Sequence, residues 1–278
     1  MKFSAARVTA MLLPLQICLW SQTVTVGNRP ASLLESRLRQ APLDNHARGE
    51  AIFSLFAAAG CEPAYLEARK MKHGKWSNIV CTLPGKADEG AVPAEIVVGA
   101  HFDHVSIGAG IIDNWGGAAM LPALFESLKI QPRRHTFVFV AFAEEETGLN
   151  GSKDFAKSLS KEEHSSIRAM VNIDSVGAGT TAIWVSRADK DLTGAALGVG
   201  KALSIAVDGV NVGPGGESDS ASFRDIKIPV IDFHSLHQDT IHIIHSRDDK
   251  MSALNMAAYE DTFRLISTFL GFIDQKLP

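Results

Sequence analysis

Short apolar runs recur along the chain at residues 96–100, 136–142, 169–173, 182–185 and 229–233. They are too short for helices and too uniform for half-exposed strands. Buried parallel strands have this pattern, because both faces of such a sheet are covered. The segments around them carry helical spacing instead. Leu33, Leu34 and Leu38 recur at that spacing, then Ile52, Phe53, Leu55 and Phe56, with Pro42 and Asn45 between the two groups and Gly60 as a stop. Residues 65–83 read as extended chain up to the turn Leu83-Pro84-Gly85, and a charged loop follows over 86–90. Helices are expected over 118–128, 153–159, 191–205 and 252–273, the last with a stripe of Leu254, Phe263, Ile266, Phe269 and Leu270. Strands alternating with helices predict an α/β fold: a three-layer α/β/α sandwich with a mixed, largely parallel central sheet. Neither a repeat nor a linker divides the chain, so residues 22–278 are expected to form a single domain.

With 278 residues and 46% apolar content, the chain can bury a full core. The formal net charge of −4 and the lack of a Lys/Arg cluster speak against a nucleic-acid partner. Past residue 30 no apolar run is long enough to span a bilayer, so stable membrane insertion is not expected. Residues 1–21 differ: Lys2 and Arg7 precede a broken apolar run to Trp20, then Ser21 and Thr23. This order matches a secretory signal peptide and implies export. Cys61 and Cys81 would then remain, either as one disulfide or as two buried thiols.

Chemistry gathers at the carboxyl ends of the apolar runs, where α/β sheets bind ligands. The first run ends on His101-Phe102-Asp103, and Asp113 follows in a glycine-bearing loop. If the chain is still extended there, alternate side chains share a face and the Asp103 carboxylate can lie beside the His101 imidazole. Taken alone, that pair equally suits a solvated surface loop. The second run leads to Glu145 and Glu146, the third ends on Asp174, and His245 lies in the loop after the last. Carboxylates crowded at one sheet edge repel unless a cation sits among them. Two imidazoles with several carboxylates suit zinc.

In this order, His101-x-Asp103, Asp113-Asn114 before a glycine pair, Glu145-Glu146-x-Gly148-Leu149-x-Gly151-Ser152, Asn172-x-Asp174 and His245-Ser246-x-x-Asp249 resemble the M28 family of zinc aminopeptidases. The resemblance implies a zinc-exopeptidase-like fold, two zinc ions and peptide substrates with a free N-terminus. Asp113 would bridge the ions, His101 and Asp174 would complete one, and Glu146 with His245 the other. Glu145 would be the general base, with Asp103 as partner to His101. Trp115 stands where the family usually has a small residue, which implies a narrowed or capped pocket. Ser218 and Asp219 match the family's substrate-side segment, although Ser220 replaces its common histidine, and Arg247 replaces a frequent proline. Glutaminyl cyclases, which use one zinc on the same fold, are the alternative. A Ser/His/Asp triad is not expected, since no Gly-x-Ser-x-Gly elbow occurs.

Overall fold

Two helices, α1 (Ala31–Leu38) and α2 (Asn45–Ala59), lead the chain onto a sheet in the computed structural model, which describes residues 31–86, 93–213 and 216–278. The expected signal segment 1–21, most of the charged loop 86–90 and Pro214 lie outside those residues. Asp44 starts α2 by accepting the Ala47 N–H at 2.9 Å. Gly60 ends it at φ +85°, a left-handed conformation that glycine adopts without strain.

The strands β1 (Leu66–Lys70), β2 (Ser77–Leu83), β3 (Glu95–His101), β4 (Thr136–Phe142), β5 (Ile167–Ile173), β6 (Thr181–Ile183), β7 (Val207–Gly209) and β8 (Val230–His234) form one sheet in the order β1-β2-β4-β3-β5-β8-β6-β7. The central four, β4-β3-β5-β8, are mutually parallel. The pairs β1–β2, β2–β4 and β6–β8 are antiparallel, so the sheet is mixed, as the sequence predicts.

Helices α3 (Gly116–Lys129), α6 (Lys190–Leu203) and α8 (Met256–Lys276) pack with α1 and α2 on one face. The other face carries α4 (Asn150–Ser158) and α7 (Ser220–Asp225), where Phe155 and Phe223 meet Phe142 and Val140. The short α5 (Lys161–Ser166) opens β5 with a capping box between Ser160 and Glu163. Two helix starts differ from expectation by more than two residues. Asn255 caps α8 by accepting the Ala258 N–H, so that helix begins at Met256 and Leu254 lies in the preceding turn. In α4 the first residue is Asn150, three earlier than expected.

Cys61 and Cys81 are joined by a disulfide that ties the end of α2 to β2. Among the described residues no helix is long and apolar enough to cross a membrane.

Candidate metal centre and catalytic site

His101 is the last residue of β3 and is buried. Its Nδ1 lies 3.1 Å from the carbonyl oxygen of Asp103. A carbonyl can only accept, so Nδ1 carries the proton and Nε2 keeps its lone pair for a metal. That Nε2 is 3.2 Å from Asp113 Oδ1 and 3.4 Å from Asp174 Oδ1. The Asp103 carboxylate stands 3.7 Å from Nδ1, and it accepts the backbone N–H groups of Glu145 (3.0 Å) and Glu146 (3.3 Å). Asp103 therefore orients His101 through its main chain and the acid pair through its side chain.

Asp113 lies in a kinked turn, Ile111–Trp115, entered through Gly110 at φ +54° and containing a cis Asp113–Asn114 peptide. Asp249 accepts the N–H groups of Ile112 (2.7 Å) and Asp113 (3.1 Å). Asn114 donates to the Ile173 carbonyl at 2.9 Å and accepts from Gly117 and Ser175. The turn is thus fixed to the end of β5, where Asp174 emerges. The second Asp113 oxygen, Oδ2, is 3.1 Å from His245 Nε2, which is 3.0 Å from Glu146 Oε2. One carboxylate spans both imidazoles.

The acid pair follows β4. Glu144 adopts φ +58° and its carboxylate accepts the N–H groups of Lys75 and Trp76, which latches the 71–76 loop against the site. A Cβ at Gly151 would strike the Ala143 carbonyl, so glycine lets α4 start close against the sheet. Burial first of all pushes Glu145 up to about 9. His101 opposes that rise, and the negative charges of Asp174, Asp219 and Asp113 add to it. Burial likewise pushes Asp219 up to about 7.

Ligand atoms of His101, Glu145 and Asp174 fall within 4.8 Å of one another, as do those of His101, Asp113 and Glu146. Buried His101 Nε2 and Glu146 Oε1 have no hydrogen-bond partner among the described residues. A divalent cation would satisfy both atoms and relieve the crowding of negative charge, and the oxygen and imidazole donors fit zinc.

These residues line one end of a cavity of about 340 Å³. Its remaining wall includes Leu149, Trp184, Val212, Leu236 and Ile244. Ser218 also lines it and donates to Asp232 Oδ1 at 2.6 Å, while Ser220 donates to Asp232 Oδ2 at 2.7 Å. Asp219 is fully buried outside the cavity wall and acts there through its charge on Glu145. Trp115 does not narrow or cap the pocket. The kinked turn directs it into the core, where it is 0% exposed and its Nε1 donates to the Arg37 carbonyl of α1.

Sequence reasoning passed over Asp232 and Arg48. Both carried a signal: a carboxylate inside an apolar strand, and a cation four residues before Ile52 and eight before Phe56 on one helix face.

The chain is 32% identical over 160 residues to leupeptin-inactivating enzyme 1 of Streptomyces exfoliatus, which covers 55% of this chain and 34% of that protein. The matched stretch spans about a third of the length of that protein and of aminopeptidase YwaD of Bacillus subtilis. Among solved structures it resembles BSAP, a zinc aminopeptidase from Bacillus subtilis, with a TM-score of 0.63 and 20% identity over 73% of this chain and 50% of that one. It also resembles an Acidobacteriales bacterium glutaminyl cyclase, with a TM-score of 0.70 and 15% identity over 98% of this chain and 100% of that one. At such identities these structures speak for the fold alone. The model of peptidase family M28 matches residues 78–270, which is most of the chain and holds every residue of the acid and histidine cluster; the chain belongs to that family.

Proposed function

We propose that this protein is a zinc-dependent aminopeptidase that removes N-terminal residues from peptides. The observation that carries the reading is Asp113, whose two oxygens face His101 and His245 separately, as a carboxylate shared by two ions would. His101 and Asp174 would hold one zinc, Glu146 and His245 the other, with Asp113 between them. Zinc bound there would supply a Lewis acid that makes water nucleophilic near neutral pH and polarises the scissile carbonyl. Glu145, which a cation charge beside it would keep ionised despite its burial, takes the proton from the attacking water and delivers it to the departing amine. Asp103 holds the backbone of Glu145 and Glu146, so base and ligand keep a fixed separation. The carboxylate-rich end of the cavity favours a substrate with a free amino terminus, and the wall of Leu149, Trp184, Val212, Leu236 and Ile244 receives its first side chain. The disulfide suits an oxidising compartment, which supports export.

Glutaminyl cyclase activity is the second reading, because the sequence motifs are shared in part with cyclases and the cyclase fold is matched along its whole length. Mass spectrometry of peptides with free N-termini, one starting with Gln, decides between them. Stepwise loss of whole residues, blocked by chelator or by N-acetylation, is the expected result. Loss of ammonia from the Gln peptide alone would replace hydrolysis with cyclisation.

A further inference from the structure

We propose that Arg48 is the positioning residue of the metal centre: one buried guanidinium holds, through backbone carbonyls, both loops that deliver His101 and Asp113. This role rests on the metal-dependent reading above. Arg48 lies in the first turn of α2 and is 0% exposed. Its Nε donates to the Pro42 carbonyl at 2.8 Å and its Nη1 to the Phe102 carbonyl at 3.1 Å. Nη2 donates to the carbonyls of Ala109 and Gly110. Phe102 separates His101 from Asp103, and Gly110 opens the kinked turn that contains Asp113. On the far side of that turn the guanidinium lies 5.5 Å from the centre of the Trp115 ring. Arg48 thus grips the Asp113 turn before and after its ligand, and the His101 loop at its centre.

The connecting loop needs such a hold, because Gly108 and Gly110 both have positive φ, +81° and +54°. Glycines leave it wide conformational freedom when nothing fixes it. A planar fork with five donors can reach several carbonyls in fixed directions at once. A lysine ammonium on a flexible stem cannot. Burial lowers the Arg48 pKa to about 10, while Asp249, Asp103, Asp113 and Glu146 oppose the drop, so the cation persists at neutral pH. Its hydrogen bonds go to carbonyls, which leaves the ligand carboxylates free for metal.

The test compares Arg48→Met and Arg48→Lys with Phe56→Leu, a core change on the same helix whose ring packs on Phe125 and Phe139. Zinc affinity is measured by competition with a chromophoric chelator, well below each melting temperature, and kcat and KM on leucine p-nitroanilide. Arg48→Met should weaken zinc binding by about 10–100-fold and lower kcat with KM little changed, as loss of an outer support does. Arg48→Lys should recover part of both. Phe56→Leu should lower Tm without changing zinc affinity. Wild-type zinc affinity and kcat in Arg48→Met would overturn the role, as would an equal loss in Phe56→Leu. If the Met variant does not fold, Arg48→Lys carries the same comparison. Wild-type protein that holds no zinc would overturn the metal-dependent reading together with this role; normal zinc and turnover in the Arg48 variants would overturn this role alone.

Discussion

The carboxylate of Asp249 accepts the backbone N–H of Asp113 across 136 positions of sequence, at 3.1 Å, and that of Ile112 at 2.7 Å. The carboxylate most central to the cluster is therefore held in place by a residue four positions after His245, the imidazole that faces it.

Asp249→Ala should leave two buried N–H groups unpaired, at a cost of about 1–3 kcal/mol, and should weaken zinc binding by about 10–100-fold. Asp249→Asn retains one acceptor oxygen and should lie between the two. Chelator competition and thermal unfolding of both variants measure this.

Glu145→Gln keeps the shape and burial of the side chain but removes the base. Zinc content should match wild type while kcat falls by about 10²–10⁴-fold. A fully active variant would remove Glu145 from the proton transfer.

On the proposed reading, Leu149, Trp184, Val212, Leu236 and Ile244 of the cavity wall should favour apolar first residues. Leucine p-nitroanilide should be cleaved with higher kcat/KM than the aspartate or lysine compound, by about tenfold or more. Trp184→Ala should erode that preference through KM, which steady-state kinetics on the three compounds would show.

Asp274 gives a pH dependence of stability. Burial alone would raise its pKa, but the His135 ring and the N–H groups of His135 and Arg134 outweigh burial and hold it below its ordinary 3.8. A depressed carboxylate contributes stability that is fully present above 3.8 and is lost as pH falls through the lower folded value. Asp274→Asn should be less stable than wild type at pH 7 by about 1–3 kcal/mol. Denaturant titrations should show the gap closing below about pH 4.

Opening the disulfide by Cys61→Ser with Cys81→Ser should cost about 2–4 kcal/mol, because the bond closes a segment of moderate length. Unfolding in reducing and non-reducing buffer should differ for wild type only.

The parallel strands were legible because burial on both faces leaves continuous apolar runs, and β3, β4 and β5 each lead into an acid or histidine of the cluster. The edge strand β7, with Val207-Asp208-Gly209, and the short α5 and α7 carry too few buried positions to show a period. The acids and histidines were legible as residue types in order, but not their supports. Asp103 illustrates the gap: its pairing with His101 runs through a carbonyl, which every residue possesses and no sequence displays. Trp115 was misread for a related reason. Its neighbour Asp113 faces the cavity, and only the kinked turn reveals that the next side chains diverge from it into the core.

The convergence of His101 and His245 on one carboxylate also bears on how activity arises during synthesis. Asp113 can meet its second imidazole only after more than a hundred further residues have been made. Nascent chains and fragments ending before His245 carry the base and four of the proposed ligands, yet no complete pair of sites. On the proposed ligand set, such fragments should bind less zinc than the full chain and show no peptidase activity.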